Sequence, residues 1–229
     1  CFIPPLYDAT IKEIKDQTRR IVVCPPNAYG GLQAHLNDGK IFRIVALDEN
    51  ERSEKKDGSE WLVKPKYKVG DIIYLKEPYK ITHSHNIWYV NYKFDEQAIE
   101  LPFSWGHKGL EKLCIQQEKS KSGWLNKLFM PAWCARRFIK ITGVRAERLQ
   151  DISGYDCVRE GIEHKFPKAT SMTQARIDYK SAEPGLRKAY ADLIDRINGK
   201  GTWDNNPLVW VYDYKLTDNT KEDVKYDKQ

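Results

Sequence analysis

Lys15 to Arg20, KDQTRR, brings an amine, a hydroxyl and two guanidinium groups into one short stretch. A lysine acts as a base only when neutral, so its free pKa near 10.4 has to fall by roughly 2–3 units for that role at neutral pH. Burial and the positive charge of Arg19 or Arg20 both push in that direction. Lys15 and Thr18 are three residues apart, which puts them on one face if the segment is helical. The same residues have a plainer meaning, because cations at the end of a helix face its negative pole.

Other residues carry weaker chemical signals. His83 and His85 would share one face of a strand, as metal ligands do, but no third ligand accompanies them; the sequence implies no metal and no cofactor. Trp133, in the stretch Met130-Pro131-Ala132-Trp133, is suited either to stacking on a base or to anchoring a core. Arg136, Arg137, Lys140, Arg145 and Arg148 make the longest strand-like segment basic, either as a stripe that contacts phosphates or as a solvated face. Glu77 follows a short strand and reads as a charge at its end.

These groups depend on the elements that hold them. Leu6, Ala9, Thr10 and Ile14 recur near helical spacing after Pro4-Pro5, so KDQTRR is expected at the end of a helix. Short strands are expected at Ile21 to Val23, Trp61 to Val63, Asp71 to Lys76 and Trp88 to Phe94. Phe138 to Leu149 is the longest strand signal, and its apolar parity switches at Gly143, which predicts a bulge there. Ser153 and Asp156 resemble a capping box that opens a short helix, with Glu160 in its last turn. Pro184 is expected to start the clearest helix, which carries Leu186, Ala189, Tyr190, Leu193, Ile194 and Ile197 on one stripe and stops at Gly199. A closing strand, Leu208 to Leu216, places Trp210, Tyr212 and Tyr214 on one face.

The whole reads as one α+β domain over residues 1–229 with short flanking helices, carrying polar insertions near 27–60, 95–128 and 164–183. A chain of 229 residues with 41% hydrophobic content can bury a substantial core. Its 38 basic against 32 acidic residues give a formal charge of +6, which favours an anionic partner, nucleic acid above all. The five cysteines are odd in number and lack CxxC spacing, which suggests neither a disulfide framework nor a zinc site and fits a reducing cytoplasm. No stretch approaches the roughly 20 apolar residues of a membrane span.

The order of KDQTRR after a first helix, KVGDIIYL at a strand entry, RFIKITGVRAERLQDISGYDCVREGI as strand and helix, and the closing VWVYDYKL resembles the ASCH domain family. That family belongs to the PUA-like superfamily of small β-barrels, which bind RNA or modified nucleobases. The likeness is greatest to the larger, phage-associated branch, which has similar K-x-Q-T-R-R and M-P-x-W segments and an acidic residue at the position of Glu77. The small bacterial N4-acetylcytidine amidohydrolases of the family use a lysine, a threonine three residues later and a glutamate on the helix after the long strand. That pattern falls here on Lys15, Thr18 and Glu160, and Arg20 also matches.

The resemblance implies a PUA-like β-barrel with a pocket for nucleic acid or a modified nucleoside, formed by Lys15, Thr18 and Glu160 with Arg19, Arg20, Glu77 and Trp133 as further ligand contacts. It also implies an alternative, an amidohydrolase in which Thr18 is the nucleophile, Lys15 its base and Glu160 the proton donor to the leaving nitrogen. This chain is much longer than those enzymes, and its insertions would narrow, cover or repurpose the pocket. A third reading, a phage structural or regulatory protein, uses the domain only as an interaction surface.

Overall fold

The computed structural model describes residues 4–25, 30–53, 55, 59–101, 109–163 and 172–217. Nine strands and four α-helices follow in the order α1 (Pro4–Ile11), β1 (Gln17–Ile21), β2 (Gly31–Asn37), β3 (Lys40–Leu47), β4 (Ile72–Tyr74), β5 (Tyr79–Ser84), β6 (Ile87–Tyr92), β7 (Ala98–Glu100), α2 (Leu110–Glu118), β8 (Phe138–Arg148), α3 (Gly154–Arg159), α4 (Met172–Asn198) and β9 (Leu208–Thr217). The fold is mixed α+β with largely antiparallel pairing. The backbone sorts into two compact units, one built from residues 1–8, 72–139 and 216–229 and the other from 9–71 and 140–215.

The second unit contains the segments that carry KDQTRR and Glu160. Its strands run in the order β1-β9-β8-β3-β2, and β1 and β2 lie at opposite ends with no pairing between them among the described residues. The expected insertion at 27–60 supplies β2 and β3, an integral hairpin of this sheet. One core lies under α3 and α4, where Leu149, Ile152, Cys157, Leu186, Tyr190, Val209 and Val211 are buried together. Another gathers Val22, Ile44, Ala146 and Leu208, with Trp210 and Val63 packed against it.

The first expectation to be corrected concerns KDQTRR itself, which is not a helix end. Helix α1 stops at Ile11, and the chain turns through Glu13 at φ 57 while the N–H groups of Ile14 and Lys15 both donate to Ala9 O. Gln17 to Ile21 then pairs antiparallel with β9 over five residues. Strand pairing supplies these backbone groups with partners that the fraying end of a short helix lacks.

A second correction concerns Pro184, which lies inside α4 instead of starting it. A proline removes one intrahelical hydrogen bond. The helix continues because Leu186, Tyr190 and Ile194 beyond it are buried in the core. At Gly143 a Cβ would lie 2.8 Å from Asp213 Oδ2, so the glycine makes room for that carboxylate. Ser153 caps α3 by accepting from the Asp156 N–H, and Glu160 closes the helix as its C-cap.

The first unit holds the meander β5-β6-β7. Its hairpin turns tightly at His85 and Asn86, both at positive φ (50 and 63), as a two-residue turn of the mirror-image type requires. Tyr79, Ile81, Val90 and Tyr92 on one face of that sheet pack with Leu110, Leu113, Leu125, Met130 and Phe138. The expected insertion at 95–128 thus contributes β7, α2 and several core residues, while 102–108 lie outside the described residues. Of the expected insertion at 164–183, residues 164–171 also lie outside them.

Candidate functional site

Alternation along β1 divides KDQTRR between two faces. Gln17 and Arg19 are buried, as is Lys15 before the strand, whereas Thr18 is half-buried and Arg20 exposed. Lys15, with 2% of its surface exposed, donates from Nζ to Gln17 O at 2.6 Å, Glu160 O at 2.8 Å and Glu160 Oε2 at 2.8 Å. Three acceptors match the three N–H bonds of an ammonium, so this arrangement holds Lys15 as a cation. Burial pulls the Lys15 pKa below the ordinary lysine value, and the Glu160 carboxylate opposes that pull.

Arg19 reinforces the pair. Its Nη1 donates to Gln17 Oε1 at 2.5 Å and Glu160 Oε1 at 3.2 Å, and its Nη2 to Glu147 Oε2 at 2.9 Å and Asp156 Oδ2 at 3.4 Å. Burial works against its charge, but Glu160 and the surrounding carboxylates outweigh that and raise its pKa. Gln17 Nε2 donates to Asp213 Oδ1 at 2.9 Å and Asp156 Oδ1 at 3.2 Å, which links β1, α3 and β9. Asp213 also takes Arg145 Nη1 at 2.5 Å and Arg159 Nη2 at 2.8 Å. Burial penalises the Asp213 charge, yet Gln17, Arg145 and Arg159 hold its carboxyl below the ordinary range.

The structure therefore joins Lys15, Arg19 and Glu160 in one buried network. Thr18 is not part of it. No hydrogen bond links Lys15 Nζ to Thr18 Oγ1 among the described residues, because the pleat turns neighbouring side chains to opposite faces. Thr18 lies opposite Tyr212, and Arg20 opposite Trp210, across the β1–β9 pair. Directly opposed residues in an antiparallel pair share a face, so Thr18, Arg20, Trp210 and Tyr212 lie on one side of the sheet, where Arg20 is exposed, Thr18 and Trp210 are half-buried and Tyr212 is buried. The Tyr212 hydroxyl accepts from Lys66 N at 3.1 Å, and its ring meets Tyr67 edge-on at 5.7 Å. Tyr212 carries no chemical signal in the sequence; only the register of β9 with β1 sets it opposite Thr18.

The remaining sequence-predicted residues fall elsewhere. Glu77 is fully buried in the first unit, where Arg136 grips it with Nε to Oε1 at 2.8 Å and Nη2 to Oε2 at 2.8 Å, and Tyr7 OH donates to Oε1 at 2.8 Å. Arg136 also reaches Asp95 Oδ1 at 2.8 Å and Gln97 Oε1 at 3.0 Å and lies over the Tyr92 ring. Its donors are thus engaged internally, which replaces the expected phosphate contact. Burial works against the Arg136 charge, but its bonds to Glu77 and Asp95 raise its pKa above the ordinary arginine value.

Arg145 is likewise committed, to Asp213 and to Glu147 at 2.5 Å. Lys140 and Arg148 are exposed, and Arg148 Nη1 donates to Asn206 O at 3.3 Å. Arg137 is half-buried, and its Nε donates no hydrogen bond among the described residues. Trp133 packs against the core of its unit. His83 stacks on Trp88 at 4.4 Å, and no cluster of His, Cys, Asp and Glu among the described residues could hold a metal ion.

Among the described residues no disulfide joins Cys24, Cys114, Cys134 and Cys157, and Cys1 lies outside those residues. Among those residues no helix is long and apolar enough to cross a membrane. Comparison of the chain with models of protein families, with curated proteins and with solved structures gives no match.

Proposed function

We propose that the second unit is an ASCH-like domain of PUA type that binds nucleic acid or a modified nucleoside on the face of β1 and β9 that carries Thr18, Arg20 and Trp210. The alternation of β1 carries this reading: it spends Lys15, Gln17 and Arg19 on internal partners and leaves the half-buried Thr18 and the exposed Arg20 on the other face, with Arg20 opposite the half-buried Trp210. Arg20 offers a planar fork to a phosphate or a base edge, the half-buried Trp210 offers the uncovered part of its ring, and the Thr18 hydroxyl can donate or accept. Lys15, Arg19 and Glu160 act from behind by fixing β1 against α3, as positioning residues. A closed PUA-like barrel is the architecture that goes with this reading.

Titration of a fluorescein-labelled 12-nucleotide RNA and, separately, of cytidine and N4-acetylcytidine tests it. Arg20→Ala should weaken RNA binding and reduce the salt slope by about 0.7, the value for one phosphate contact on a single strand. Unchanged binding of all three ligands in both Arg20→Ala and Thr18→Ala would overturn the reading.

One observation favours the amidohydrolase alternative: burial lowers the Lys15 pKa, as a lysine base requires, and Glu160 is in contact with it. Catalysis would need Lys15 to leave its three acceptors and reach Thr18. Release of acetate from N4-acetylcytidine by the wild type, lost in Thr18→Ala, would establish it; turnover that persists in Thr18→Ala would exclude Thr18 as nucleophile.

A further inference from the structure

The first unit presents a basic and aromatic surface that plays no part in the reading above. Residues 119–135 contain Lys119, Lys121 and Lys127 and no acidic residue. Within this run Trp124 is half-buried, and Phe129 is 74% exposed. The loop is held in place by its bridge to β5: Leu125 N donates to Tyr79 O at 2.7 Å, and Ser120 Oγ donates to Trp124 O at 2.8 Å. Beside it lies a groove of about 350 Å³ lined by Trp124, Phe129, Leu125, Gln116, Ser120 and Asn126, together with Tyr79. That volume is within the range of about 300–1,000 Å³ typical of small-molecule sites.

Lys80 from β5 and Lys93 from just after β6 converge on the same indole, with their Nζ atoms 5.0 and 5.9 Å from the Trp124 ring centroid. Lys80 lies opposite Asn91 on the sheet face away from the core, since Tyr79, Ile81, Val90 and Tyr92 fill the other face. Two ammonium groups over one aromatic ring, beside a groove with apolar walls and amide and hydroxyl groups, match a flat ring that carries a nearby negative charge. A nucleotide has this chemistry. A base entering over the indole would take the place of the lysines on the ring, and their flexible stems would let the ammonium groups move to the adjoining phosphates.

We propose that this surface binds single-stranded nucleic acid, with one base stacked on Trp124, a second on Phe129 and the intervening phosphates on Lys80 and Lys93. The charge of the loop and its lysines favours a polyanion, and the exposed rings select one that carries aromatic groups. The site stands independently of the Thr18 and Arg20 face.

The test uses the full chain in an Arg20→Ala background, so that binding at the first face is weakened and does not obscure the second. Binding of a fluorescein-labelled 15-nucleotide oligouridylate is followed by anisotropy over a range of salt. Trp124→Ala and Phe129→Ala should each weaken binding by about 5- to 150-fold, the equivalent of one lost base–aromatic stack. Trp124→Phe should retain most of the affinity, which separates stacking from a folding defect. Lys80→Ala combined with Lys93→Ala should lower the salt slope by about 1.4, two contacts at about 0.7 each. Unchanged affinity in Phe129→Ala and in Trp124→Ala overturns the proposal, as does equal competition by a polyglutamate peptide of the same charge, which would make the surface a general polyanion site.

Discussion

Replacing Lys15 by methionine keeps most of the side-chain volume but removes the amine that bridges Glu160 and the start of β1. Lys15 and Glu160 are 2% and 5% exposed, so neither charge has water in place of its partner. Removing one member of a buried pair typically costs about 3–5 kcal/mol, because the other is left buried and underpaired. Glu160 keeps Arg19 Nη1 at 3.2 Å, which puts the expected cost of Lys15→Met toward the lower end of that range. At about 2–4 °C per kcal/mol for a chain of this size, the melting temperature should fall by about 6–20 °C. Glu160→Gln should cost a similar amount, and the double variant Lys15→Met/Glu160→Gln less than the sum of the singles, with a coupling of about 0.5–3 kcal/mol.

Differential scanning calorimetry and urea unfolding give these values. Burial lowers the folded-state pKa of Lys15, so between that lowered value and about 10.4 the unfolded chain binds more protons than the folded one. Wild-type stability should therefore rise with pH through that window, and Lys15→Met should abolish this rise. A melting shift below about 2 °C, with additive singles, would refute the reasoning: it would mean that the pair is solvated and that β1 is held by its backbone bonds alone.

Two further outcomes follow from the same geometry. Tyr7→Phe removes one hydrogen bond to the buried Glu77 carboxylate and should cost about 1.5–3 kcal/mol in urea unfolding; a loss within error would mean that Arg136 satisfies Glu77 alone. Asp213 is held below the ordinary carboxylate range, so its contribution to stability should be complete above about pH 4 and lost as the pH falls through its lowered value. Asp213→Asn should flatten that acid limb in a pH series of melting temperatures, and an unaltered limb would assign acid sensitivity to other carboxylates.

How much of this was legible in the sequence differs from residue to residue. Ser153 and Asp156 announced the start of α3, and with it the place of Glu160, because capping acts over three residues and is written locally. The runs Phe138 to Arg148 and Leu208 to Thr217 announced strands by their apolar content. Lys15 and Glu160 were nominated as members of one pocket, and the structure places Lys15 Nζ 2.8 Å from Glu160 Oε2. KDQTRR was misread as a helix end because its secondary structure is decided by pairing with β9, almost two hundred residues further on. With that pairing the three-residue spacing of Lys15 and Thr18 changed meaning, since three positions share a face in a helix but alternate in a strand. Glu77 and Arg136 looked like a strand-end charge and a phosphate contact; only the tertiary fold buries them against each other with Tyr7. Local sequence thus set the caps, the strand cores and the candidate charges. Which charges neutralise one another and which remain open to a ligand was decided by long-range register, because the partner of a buried charge is chosen by whichever strand or helix the fold brings beside it.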